Sequence, residues 1–230
     1  MAIRLLPFRD YSEHDVINLF KMAGNKGDFI DLSSDDKQST VNGDAGVFVK
    51  VAQGITEDDN GNWNPVDVET NAESLLGKTN YPHVGRNVYP QATLSVTGVS
   101  AATDQCIGVT LRQTVEKDEN GENLLYNPIK KDELYGVLPG EAVPVLSRGL
   151  ITISDACVDG TLTPGQALQP AAGGKVKGVD YSTDRGAINT IGTVLTSGSR
   201  ADHFGSNAKN VFGNAGMQSG SYYVVKIDCA

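Results

Sequence analysis

Residues 139–153, PGEAVPVLSRGLITI, decide the fold class of this chain. Pro139 fixes φ for a turn, and Gly140 supplies a conformation that other residues resist. Val143-Pro144-Val145-Leu146 and Leu150-Ile151-Thr152-Ile153 then follow as short apolar runs rich in β-branched residues, which predicts a further pair of strands. Outward from this stretch the same phrases return. Pro164-Gly165-Gln166-Ala167-Leu168 resembles Pro139-Gly140-Glu141-Ala142-Val143, and Ile107-Gly108-Val109-Thr110-Leu111 resembles Ile191-Gly192-Thr193-Val194-Leu195. A glycine inside a strand marks a bulge or a close approach of backbones. The phrases are not evenly spaced, which excludes a solenoid. The expected fold is mainly β, a small barrel or sandwich.

Further strands are expected at Val47–Val51, Ala92–Val99, Ile107–Val115, Gln166–Leu168, Ile188–Leu195 and Tyr222–Ile227. Asn60-Gly61 suits a type I′ hairpin, and Asn120-Gly121 marks another tight turn. The stretch at about 63–91 is irregular and reads as a surface insertion, and the Gly-, Ser- and Asn-rich stretch at about 197–221 as a long loop. The N-terminal part differs. Ser12 can cap a helix with Asp15 as its capping-box partner, Val16, Leu19 and Phe20 fall at helical spacing, and Gly24 is a plausible stop. A helix of three turns is marginal alone in water, so it must lean on its own domain or on a neighbouring molecule. Asp31 to Gly46 is polar and reads as an extended arm. The expected organisation is a helix and arm over residues 1–46 and a β domain over 47–230.

The formal net charge of -9, from 19 basic and 28 acidic residues, argues against sequence-independent nucleic-acid binding, which needs a basic footprint. No apolar run is long enough to span a membrane, and the opening residues carry no signal-peptide pattern. The three cysteines, Cys106, Cys157 and Cys229, are too few and too widely spaced for a disulfide framework or a zinc site. His14, His83 and His203 are far apart in sequence, with no ligand spacing for a metal. Asp58-Asp59-Asn60-Gly61 and Asp118-Glu119-Asn120-Gly121 partly match calcium loops but lack the Gly at the sixth place and the terminal Glu, and turn chemistry accounts for both. There is no G-x-S-x-G elbow and no phosphate-binding P-loop. No residue points to catalysis or to a cofactor, and a structural, non-enzymatic role is expected.

The ordered phrases from Pro139 to Ile153, Leu162 to Leu168 and Ile191 to Leu195, preceded by Ile107–Leu111, resemble the head-decoration (cement) proteins of tailed phages. Residues 13–20, EHDVINLF, are similar to the opening of many virion structural proteins of these phages. The likeness covers roughly half the chain, and the stretches at about 63–91 and 197–221 have no counterpart in it. The resemblance implies a β-barrel or sandwich that is made in the host cytoplasm and ends on the virion, on the outer capsid surface. The partner would be the major capsid protein, with self-association into a homo-oligomer also in view. On that reading Phe8, Val16, Leu19 and Phe20 are the candidate apolar anchors for capsid or subunit contact. A tail or fibre adaptor is the alternative within the virion. A glycan-binding module is the alternative outside it, although one Trp and eight scattered Tyr give it little aromatic platform.

Overall fold

The computed structural model describes residues 4–23, 29–33, 43–53, 94–179, 189–199 and 220–229. The anticipated turn at Asn60-Gly61, the insertion at about 63–91, the greater part of the arm and most of the loop at about 197–221 lie outside these residues.

In chain order the strands are β1 (Leu5–Asp10), β2 (Val16–Ile17), β3 (Phe20–Met22), β4 (Ile30–Asp31) and β5 (Phe48–Gln53). Then come β6 (Leu94–Gly98), β7 (Gly108–Thr110), β8 (Gln113–Lys117), a short helix α1 (Pro128–Glu133) and β9 (Gly136–Val137). The rest are β10 (Val145–Leu146), β11 (Arg148–Ser154), β12 (Ala167–Ala171), β13 (Lys175–Gly178), β14 (Gly192–Ser199) and β15 (Ser221–Asp228). The chain is mainly β, as the sequence predicts. One six-stranded sheet runs β1-β11-β15-β14-β12-β13, a second runs β2-β10-β7-β5-β6-β3, and a three-stranded sheet runs β4-β8-β9. No sheet closes on itself, so the barrel alternative is not formed among the described residues.

The two runs of the 139–153 stretch do not pair with each other. β10 belongs to the second sheet and β11 to the first, with Ser147 alone between them. Ser147 fixes this crossing: its N–H and its hydroxyl both donate to the Asp15 carbonyl, at 2.9 and 2.8 Å, and its own carbonyl accepts from Cys229 N–H at 3.0 Å. β15 buries alternate residues, Tyr223, Val225 and Ile227, as expected when one face meets the core, and Ile151 and Ile153 of β11 join them there, although Thr152 and Ser154 between and after them are buried too. The second sheet is buried on both faces. Phe48 and Leu146 enter the cluster shared with the first sheet, while their neighbours Val49 and Val145 enter a second cluster with Met22, Phe29 and Val96. Each such side chain contributes about 1.5–3 kcal/mol on full burial.

The recurrent phrases have one structural meaning each. In both Pro-Gly turns the glycine takes a positive φ, 93° at Gly140 and 83° at Gly165. Both turns are then locked twice. Glu141 N–H donates to the Leu138 carbonyl and its carboxylate accepts from Leu138 N–H at 2.7 Å. Gln166 N–H donates to the Thr163 carbonyl and its side-chain oxygen accepts from Thr163 N–H at 3.1 Å. In each sheet the strand after a Pro-Gly turn pairs with an Ile-Gly strand: β10 with β7, and β12 with β14. The registers of the two pairs differ, so the likeness is local.

The expected N-terminal helix is not present. Ser12 does cap, accepting from His14 N–H, but only a 3-10 turn, Glu13–Asp15, follows. Val16 and Ile17 then pair with Leu146 and Val145, and Phe20 runs parallel beside Leu94. β-Branched and aromatic residues favour a strand wherever a sheet edge offers partners, and the marginal helix had only local bonds to set against that. Other differences are smaller. The run expected over Ile107–Val115 breaks into β7 and β8, and Ser197–Ser199 extend β14 rather than opening a loop.

Asp104 anchors the loop between β6 and β7. Its carboxylate accepts from Ser100 N–H at 2.7 Å and Ala101 N–H at 2.9 Å, and it pairs with Lys50 of β5 at 2.9 Å. Burial would raise its pKa, but the Lys50 ammonium and the backbone donors outweigh that and hold it well below the usual carboxylate range. A depressed folded-state value stabilises the fold above the unfolded value of about 3.9 and is lost as pH falls below it. Thermal melts should therefore fall off from about pH 4 downward. Asp104→Asn should melt lower than the parent at neutral pH and show a flatter acid limb; an unchanged limb would rule this anchor out.

Candidate interaction surface

The most distinctive surface grows from the three-stranded sheet. β8 and β9 run parallel with Gln113 opposite Gly136, so the residues just before each strand, Arg112 and Tyr135, come side by side. The Arg112 guanidinium lies 6.0 Å from the centre of the Tyr135 ring, within cation–π reach. Gln113 donates its side-chain amide to the Leu134 carbonyl at 2.8 Å and so fixes the end of α1 against β8.

Tyr135 stands in an unusual backbone state. It follows α1 and its N–H donates to the Asp132 carbonyl, as at a helix C-terminus closed by a left-handed residue. That place is usually glycine, and Gly136 is next in sequence, yet Tyr135 itself takes φ 51°. Among the described residues it is the only non-glycine with positive φ. The residue is 72% exposed, so packing on the core does not account for the strain.

Tyr135, Arg9 and Leu111 form a shared wall between two grooves, of about 490 and 720 Å³. The smaller is completed by Arg4, Leu5, Asp44 and Leu134. There Arg4 pairs with Asp44 at 3.4 Å, and its Nη1, although buried, has no hydrogen-bond partner. Burial pushes the Asp44 carboxyl up, with the Arg4 charge opposing it. The larger groove is completed by Tyr11, His14, Val16, Asn18, Arg112 and Pro144. Arginine and tyrosine are the residue types that carry most interface energy, because each combines large contact area with a polar end.

The sequence-predicted anchors are distributed differently. Phe8 on β1 is 63% exposed and Leu19, between β2 and β3, is 52% exposed. Val16 packs against the large core cluster and Phe20 against the second, so both are partly committed to the protein's own interior. Val16 also lines the larger groove. Arg112 and Tyr135 were not legible as a pair: they are distant in sequence and meet only through the β8–β9 register.

Among the described residues no group of three or more His, Cys, Asp or Glu could hold a metal ion. His83 and His203 lie outside them. In the Asp118 turn, the carboxylate accepts from Asn120 N–H at 2.9 Å, Glu122 N–H at 2.8 Å and Lys130 Nζ at 2.8 Å. It closes a turn in which Gly121 takes φ 84°. No described helix is long and apolar enough to cross a membrane. No protein-family model, no curated protein and no solved structure matches the chain.

Proposed function

We propose that this protein is a structural component of a tailed-phage virion that binds the outer surface of the assembled capsid and stabilises it. The observation that carries the reading is the Arg112–Tyr135 pair: an exposed ring, held in a costly backbone state between two grooves, on a scaffold whose turns are doubly locked. A residue kept at a conformational cost without core contacts is a candidate for contact with a partner. The order of the Pro-Gly and Ile-Gly phrases supports the choice of partner, the major capsid protein. A protein that binds the assembled lattice and not its dissociated subunits stabilises the lattice by mass action, and many copies let each contact be modest. No catalytic role is assigned to any residue.

The test uses undecorated shells of a tailed phage that encodes this chain. Purified protein should cosediment with the shells and raise the temperature at which they come apart. Arg112→Ala should weaken binding by about 10–30-fold, the range of a moderate interface hot spot. Shells that neither bind the parent protein at micromolar concentration nor gain heat resistance from it would overturn the proposal.

A further inference from the structure

Two of the three cysteines meet across the core. Cys106, in the loop entering β7, and Cys229, just past β15, are 123 residues apart in sequence, yet the Cys229 thiol donates to the Cys106 sulfur at 4.0 Å. Cys106 is buried in the large core cluster, and Cys229 is half-buried and packs against the same cluster. Both backbones are pinned nearby. Cys229 N–H donates to the Ser147 carbonyl at 3.0 Å, and Ile107 N–H donates to the Val49 carbonyl at 2.9 Å. Both are free thiols in this structure.

We infer that Cys106 and Cys229 are an oxidative cross-linking site whose disulfide staples the last strand of the first sheet to the strand-entry loop of the second. Closing from thiol contact to a bonded S–S distance of about 2.05 Å requires the sulfurs to approach by roughly 2 Å, within reach of side-chain rotation at both residues. With hydrogen peroxide as oxidant the atoms balance in two steps. One sulfur of the pair, as the thiolate, takes an oxygen from the peroxide to give the sulfenic acid, and one water leaves. The other sulfur then attacks it, the S–S bond forms, the S–O bond breaks and a second water leaves. Two thiols lose two electrons and two protons, and one peroxide becomes two waters. The hydrogen bond from Cys229 favours the Cys106 thiolate and lowers its pKa, and the thiolate is the form that reacts with peroxide, while the same bond and burial push the Cys229 thiol up.

Cys157 is an internal control. It is buried, its thiol donates to the Arg4 and Gly46 carbonyls at 3.4 and 3.3 Å, and burial pushes it up to about 12. It should stay reduced under the same treatment.

The full-length protein would be reduced, desalted and exposed to hydrogen peroxide at mildly alkaline pH. Intact mass should fall by two hydrogens, and non-reducing peptide mapping should join the Cys106 and Cys229 peptides, with Cys157 still open to alkylation after denaturation. Closing so long a loop should raise the melting temperature by roughly 10 °C, reversibly with dithiothreitol. Cys229→Ser should melt like the reduced parent and lose the rise. Cys106 and Cys229 peptides that stay unlinked, or a bridge that includes Cys157, would overturn the inference.

Discussion

Gly192→Ala should cost about 3 kcal/mol or more of folding stability, and Gly108→Ala a similar amount. At each position a β-carbon would fall on backbone rather than on a side chain that can rotate away. At Gly192 it would collide with the Lys226 carbonyl oxygen of β15, and at Gly108 with the Leu146 carbonyl oxygen of β10. Gly108 also sits at φ 155°, whereas Gly192 has no such strain, so the pair separates close approach from conformation. Gly173 completes the comparison: φ is 76° and nothing lies within 4 Å of its missing β-carbon, so Gly173→Ala should cost only about 1–2 kcal/mol. Denaturant titrations at matched temperature would rank the three. In melts the first two should fall by roughly 6–12 °C for a chain of this size. If Gly192→Ala melted beside the parent, the close packing of β14 on β15 would be wrong.

Tyr135→Gly should separate stability from binding. The left-handed backbone at residue 135 is easy for glycine and costly for tyrosine, and the exposed ring gives little back in packing. The variant should therefore be as stable as the parent or more stable, by up to about 1 kcal/mol. Shell binding should meanwhile fall by about 30-fold, the loss of one aromatic hot spot worth about 2 kcal/mol. Tyr135→Phe keeps the ring beside Arg112 and should bind within a few-fold of the parent, unless the hydroxyl itself is the contact. Undiminished binding by Tyr135→Gly, measured by cosedimentation, would remove the Arg112–Tyr135 face from the proposal. A loss of stability above about 2 kcal/mol would show that the ring supports the fold after all.

The sequence alone carried the local grammar. Pro139-Gly140 and Pro164-Gly165 had to be turns, because proline presets one dihedral and glycine alone accepts the next without strain. Ile107-Gly108 and Ile191-Gly192 had to be places of close backbone approach, because a strand gives up a side chain only where something else needs the room. The mainly β class followed from these and from the β-branched runs. What only the tertiary structure decided was partnership. β10 and β11 are adjacent runs of similar composition, yet one residue, Ser147, sends them to different sheets, and its bonds run to Asp15 and Cys229, at the two ends of the chain. Val16, Leu19 and Phe20 fit a helical face in isolation, yet edge strands offered Val16 and Phe20 long-range hydrogen bonds that no local pattern records. The Arg112–Tyr135 face and the Cys106–Cys229 contact arise the same way, from register and from crossing chains. Turn chemistry acts over a few residues and is written in them. Strand pairing joins residues a hundred apart, and many pairings bury the same apolar groups until the whole core selects one.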